Sequence, residues 1–339
     1  MTARFPAGKL PHNVLGRLLD RYASTSDPRL IVPPGIGEDA TVIDFGDRCL
    51  VAKTDPITFA TDEIGWYAVH VNANDIAAMG ATPRFFLATV IVPEKLGNED
   101  FFEKIFRQIH EACTSLGVTV AGGHSEVTFG IDRPLVVGQM LGECDRGRVV
   151  RSSGLQVGDA ILLTKGLAIE ATSIIAREKA GQLRSSGVSD EIIARSASYL
   201  TDPGISVVTD ARVALASGDV HALHDPTEGG VATGLLEITQ ASGVGLEIYN
   251  DRLPISNDSA NLCEAVGVDP LGVISSGALL IGCNAESVPD ISNGLTEAGI
   301  AVAHIGDVRD LDFGVKLRRG NVVQNLPRFA VDEIGKLFT

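Results

Sequence analysis

Glu63–Met79 reads EIGWYAVHVNANDIAAM and runs on into Gly80-Ala81-Thr82-Pro83. Ile64, Ala68, Val71, Ala78 and Met79 are among the apolar positions that predict a helix. Gly80 predicts its end, and Pro83 forbids its continuation. Asn72, Asn74 and Asp75 interrupt an otherwise apolar stretch. A carboxylate amid such neighbours is paired, protonated or bound to a metal, because an isolated buried charge is costly. A single aspartate of this kind is as readily a capping or solvated side chain. Its meaning depends on the other acidic segments of the chain.

Three such segments accompany Asn74-Asp75: Gly35-Ile36-Gly37-Glu38-Asp39-Ala40, Lys53-Thr54-Asp55-Pro56-Ile57-Thr58 and His224-Asp225-Pro226-Thr227-Glu228-Gly229-Gly230. In each, a glycine or turn residue stands beside an acid at the end of an apolar run. Magnesium takes oxygen ligands, usually one or two carboxylates with phosphate oxygens and water. Clustered carboxylates repel each other without a cation. Glycine admits a phosphate close to the backbone, and a helix starting there adds its positive end. Gly229-Gly230, opening a helical pattern, suits that role. Taken singly, each segment is equally a turn. Gly122-Gly123-His124-Ser125-Glu126 follows a short apolar run and reads as a loop at a strand end. There His124 and Glu126 are candidate catalytic groups, with ordinary structural roles open to both. Gly8-Lys9-Leu10-Pro11 offers a lysine to cover a nucleotide, without the spacing of a Walker A loop.

The chain has 339 residues, enough for two domains. Its net charge of −15 and the lack of a long Lys/Arg block argue against a nucleic-acid surface. Five dispersed cysteines, with no CxxC pair, support neither a zinc site nor a disulfide framework. They read as buried, inert thiols. No signal peptide or spanning helix is evident, so a cytoplasmic protein with no membrane partner is expected.

Strand-like runs alternate with amphipathic helices. Residues 40–44, 49–54, 85–92, 118–121 and 135–142 read as strands, and 100–116 as a helix ended by Gly117. Apolar density falls at Arg146–Gly158, which divides the chain into domains 1–150 and 151–339. In the second, 160–164, 245–248, 278–283 and 302–305 read as strands. Helices are expected near 168–180, 190–199, 206–217, 230–242, 260–266 and 288–298. The mixture favours an α+β class over a doubly wound parallel sheet.

In their order, these segments resemble the aminoimidazole-ribonucleotide synthetase superfamily. It includes the purine enzyme PurM, thiamine-phosphate kinase, selenophosphate synthetase and the hydrogenase-maturation protein HypE. The resemblance runs from about Lys9 to Arg318. It implies a two-domain PurM-like fold: an N-terminal ATP-binding and dimerisation domain, whose sheet pairs with a second copy to close a dimeric β-barrel, and a C-terminal α+β domain. It implies ATP and Mg2+ as cofactors. Asp39, Asp55, Asp75 and Asp225 match positions that bind magnesium or face ATP phosphates. Lys9, Gly37, Asn74, Gly122, Gly123, Thr227, Gly229 and Gly230 are the candidate cofactor-binding residues. The segment from Asp225 to Ile248 looks most like HypE. Two departures stand out: Glu228 replaces the arginine usual in HypE, and the tail Asn325–Thr339 lacks the cysteine that carries HypE's carbamoyl group. The expected chemistry is phosphoryl transfer from Mg-ATP to an amide or carbonyl oxygen of an unknown small-molecule or protein acceptor. A thiamine-monophosphate-type kinase and a non-catalytic nucleotide-binding scaffold are the alternatives.

Overall fold

The computed structural model describes Phe5, residues 9–23, 27–58, Ala60 and 62–338. Two compact units divide the chain. One contains residues 27–33 and 39–149. The other contains the described residues up to Ala23, then Pro34–Glu38 and 150–338. The N-terminal segment therefore clusters with the second half of the chain, which the 1–150 division does not express.

The second unit starts with α1 (His12–Tyr22). The first is built on a six-stranded sheet of β1 (Leu30–Val32), β2 (Thr41–Asp44), β3 (Arg48–Ile57), β4 (Thr82–Pro93), β5 (Thr119–Thr128) and β6 (Leu135–Asp145). Their order is β1-β2-β3-β6-β4-β5. Only the β4–β5 pairing is parallel. The sheet is open, with β1 and β5 at its edges, and no barrel closes within the described residues. Helices α2 (Ile64–Ala78) and α3 (Glu99–Leu116) pack against each other, and α2 lies on β3 and β6.

The decisive stretch is the helix its sequence predicts. A helix apolar on all sides must be buried on all sides, and Tyr67 through Ala78 are buried without a break, Asn72, Asn74 and Asp75 included. Gly138 and Gly142 on β6 allow this approach. A Cβ at Gly138 would stand 2.3 Å from Asn72 Nδ2, and one at Gly142 would stand 2.2 Å from Ile76 Cγ2. Gly80 adopts φ 74°, as its stop role requires.

One expectation is corrected. The run beginning at Val118 does not open into a loop at Gly122. Strand β5 continues through Gly122, Gly123, His124, Ser125 and Glu126 to Thr128, paired in parallel with β4. A register shift at Phe86/Leu87 accompanies glycine φ values of 154° and 151°. A Cβ at Gly123 would meet the Ala88 carbonyl oxygen at 2.1 Å. The glycines thus serve backbone proximity inside a strand.

The second unit carries a seven-stranded sheet ordered β13-β12-β9-β11-β7-β10-β8. Its strands are β7 (Ala160–Thr164), β8 (Val220–His224), β9 (Gly245–Tyr249), β10 (Leu280–Cys283), β11 (Val302–Arg309), β12 (Val315–Arg319) and β13 (Val322–Asn325). Every residue of β7 is buried. The helices are α4 (Ile169–Glu178), α5 (Ala180–Ser185), α6 (Asp190–Ala197), α7 (Val208–Ser217), α8 (Gly230–Ser242), α9 (Asn257–Val266) and α10 (Val288–Glu297). The sequence pattern missed α1, α5, β1, β8, β12 and β13. β13 is an exposed edge strand and β12, beside it, is rich in charge; both bury little and so carry little hydrophobic signal.

Candidate functional site

In the first unit, α2, β3 and the segment just before β2 bring four charged side chains together. Asp75, 4% exposed, accepts a 2.9 Å hydrogen bond from Lys53 Nζ on its Oδ1. Its Oδ2 is buried with no hydrogen-bond partner among the described residues. Lys53 Nζ also lies 3.7 Å from Asp55 Oδ2. Asp39 is buried, and its carboxylate lies within 4.8 Å of that of Asp75. Burial is the main force pushing the Asp75 carboxyl up to about 7; Lys53 opposes it, while Asp55 and Asp39 add to it. Burial alone would lower Lys53, but Asp75, Asp55 and Asp39 outweigh it and keep the ammonium protonated. Three carboxylates share one ammonium, so the cluster can accept a further cation. Hard carboxylate oxygens, one of them unpaired, fit magnesium.

Asn74 is buried in α2 beside this cluster, and Asn72 Nδ2 donates to the Ala68 and Asp55 carbonyls. Lys53 is the residue sequence reasoning passed over. Its signal was modest: a lysine two positions before Asp55, on the same strand face.

His124 and Glu126 stand elsewhere in the unit. Both are exposed on edge strand β5, with His124 Nε2 3.0 Å from Glu126 Oε2. β6 and β4 intervene between β3 and β5, a separation of about 14 Å at normal strand spacing. The fold of one chain therefore does not bring this pair to Lys53 and Asp55.

In the second unit, β8 ends at His224, and Asp225-Pro226-Thr227-Glu228-Gly229 leads into α8. Asp225 is buried. Lys9 Nζ lies 3.2 Å from Thr227 Oγ1, 3.8 Å from Glu228 and 3.7 Å from Glu237. Gly8, the other half of that lysine motif, lies outside the described residues. Glu237 receives His12 Nε2 at 3.2 Å and His224 Nε2 at 3.2 Å. Burial would raise its carboxyl, but His12, His224 and Lys9 hold it well below the usual range. His12 and Glu237 went unremarked in the sequence, and His224 was quoted only as the start of its segment, because nothing local marks the three as partners. Gly37 packs on α8, where its Cβ would meet the Glu237 carbonyl at 2.8 Å.

Gly229 and Gly230 have φ 81° and 66° and start α8. Their amides are already engaged: Gly229 N–H donates to Asp332 Oδ2 at 2.6 Å, and Gly230 N–H to the Thr227 carbonyl at 3.0 Å. All five cysteines are free and buried. Burial pushes Cys113, Cys263 and Cys283 up to about 12, far from a reactive thiolate.

The chain belongs to the AIR synthase related protein family. The N-terminal domain model matches residues 37–144 and the C-terminal domain model residues 156–316. Within that family it is HypE-like. A putative hydrogenase expression/formation protein of Methanocaldococcus jannaschii is 29% identical over 74% of this chain and 74% of its own. Carbamoyl dehydratase HypE of Rhizobium leguminosarum bv. viciae is 28% identical over 72% and 68%. A selenide, water dikinase of Rhizobium meliloti is 31% identical over 76% and 71%. Among solved structures, a hydrogenase maturation protein HypE superposes with a TM-score of 0.71, 25% identity, and coverage of 92% of this chain and 96% of that one. A HypE in complex with ATP superposes at 0.70, with 23% identity and coverage of 95% and 96%. Among the described residues, no helix is long and apolar enough to cross a membrane.

Proposed function

We propose that this protein is an ATP-dependent enzyme that transfers a phosphoryl group from Mg-ATP to an amide or carbonyl oxygen. The observation that carries the reading is the buried Asp39–Asp75–Lys53 cluster with its unpaired Asp75 oxygen. Relatives named as a carbamoyl dehydratase and as a selenide, water dikinase support it, as does the HypE crystallised with ATP. Asp39 and Asp75 would hold magnesium, with Asp55 on the flank. When bound, the ion offsets negative charge on the phosphoryl group. Lys53 fixes the Asp75 carboxylate, and Lys9 with Thr227 supplies a cation and a hydroxyl for phosphate oxygens. Its five cysteines are all buried, so the reading is of a HypE-like factor whose acceptor lies on another molecule.

A homodimer belongs to this reading. β5 is exposed at nine of its ten residues, Val120 and Val127 among them. A bare edge of that kind is a pairing surface. A second copy there would close the barrel and place His124 and Glu126 in an interface.

The metal assignment is tested by titrating wild type and Asp75→Asn with ATP, with and without magnesium. Magnesium should tighten wild-type binding by about tenfold or more, the effect of a lost charge-assisted contact, and the variant should lose that gain. Equal affinity in all four titrations sinks the assignment.

A further inference from the structure

After β13 the chain turns back over the second unit. Leu326 and Ile334 are buried. The Phe329 ring covers Gly272, where a Cβ would stand 2.4 Å from it. Glu333 N–H donates to the Gly272 carbonyl at 3.1 Å, and Asp269 N–H donates to Glu333 Oε2 at 3.2 Å. Between these anchors lies Asp332, 6% exposed. Its carboxylate receives amides from three separate places: Gly229 at 2.6 Å, Ile334 at 2.7 Å and Ile274 at 3.3 Å.

Convergent amides at a helix start form a seat for an anion. Here the chain fills that seat itself, and the segment that does so lies beyond the residues matched by the family model, which end at 316. Gly230 is closely approached by backbone. A Cβ there would meet the Leu271 and Val273 carbonyl oxygens at 2.5 and 2.7 Å.

We propose that Asp332 is a positioning residue: its carboxylate supplies the anion of the Gly229–Gly230 turn and so fixes the loop that presents Asp225 and Thr227. The proposal rests on the nucleotide-binding reading for its catalytic consequence. The loop then acts through the residues it carries, and the Gly229 amide serves the tail.

The test uses full-length Asp332→Ala and Asp332→Asn. Amide exchange at Gly229 should accelerate by about tenfold in the alanine variant, the loss of one well-satisfied hydrogen bond, with exchange in β7 unchanged. Asparagine, which keeps acceptor oxygen but not charge, should restore part of the protection. Excess acetate should slow Gly229 exchange in the alanine variant and leave wild type unchanged. With nucleotide, KM for Mg-ATP should rise while kcat stays within about twofold, as expected when binding rather than the chemical step is impaired. Unchanged Gly229 exchange in the alanine variant overturns the proposal, and so does acceleration spread evenly through the second unit. If the alanine variant fails to fold, the asparagine variant alone decides on the same exchange criterion. The exchange and acetate measurements need no nucleotide. A protein that bound no ATP would therefore refute the function above while leaving this inference standing or falling on its own.

Discussion

Glu170 shows what one buried carboxyl does to the whole molecule's pH response. It sits in the first turn of α4, 4% exposed, and accepts the Ser276 amide at 3.2 Å. Burial is the main reason its carboxyl is raised to about 7; the Ser276 hydrogen bonds oppose this, and Glu228 and Asp332 reinforce it. The unfolded chain releases the same proton near 4.5. Between those values the native state binds more protons, so stability must fall as pH rises. The contribution is fully present below 4.5 and lost by about 7, a total of roughly 3 kcal/mol. Urea melts of wild type and Glu170→Gln from pH 4 to 8 should therefore diverge. The glutamine variant should gain on wild type across that window, and parallel curves would remove Glu170 as the cause. The residue was invisible in sequence as anything but a first-turn acid, because its burial is imposed by tertiary packing, and Ser276, the partner that partly offsets it, lies more than a hundred positions away.

At the scale of elements, the contact between α2 and β6 determines where the carboxylates stand. Gly142 faces Ile76 Cγ2 at 2.2 Å and the Thr82 carbonyl at 2.9 Å for an added Cβ. Such overpacking forces backbone shifts worth about 1–3 kcal/mol. Gly142→Ala should lower the urea midpoint accordingly, while Gly147→Ala, with nothing within 4 Å of its added Cβ, should change it little. Equal midpoints for the two would show that α2 is not held by this close approach. The helix itself was legible from its apolar pattern and its Gly80 stop. Its partner strand was legible too, though its glycines gave no hint that they marked the helix's seat. β5 was read short because two glycines usually end a strand, whereas here they admit the Ala88 backbone.

For the whole molecule, the question is what covers β5. Val120 is 47% exposed on a strand with one free edge. Light scattering at micromolar concentration should return twice the 35.6 kDa chain mass. Val120→Lys should shift the protein toward monomer, because a lysine on that edge discourages strand pairing. A wild-type monomer under those conditions would remove the dimeric barrel.

The sequence by itself determined the mixed α+β class, the helix at Glu63–Met79 and the identity of the acidic and glycine-rich segments. Those are local properties, written in apolar period, turn residues and motif order. Only the tertiary structure decided which of these groups meet. Lys53 joins Asp75 across 22 positions, Glu237 gathers His12 and His224, and Asp332 reaches Gly229 across 103 positions. It also separated His124 and Glu126 from Lys53 and Asp55 on β3 by two intervening strands. The reason is physical: hydrogen bonds and ion pairs act over a few ångströms, and chain distance does not encode which strands and helices the buried core will press together.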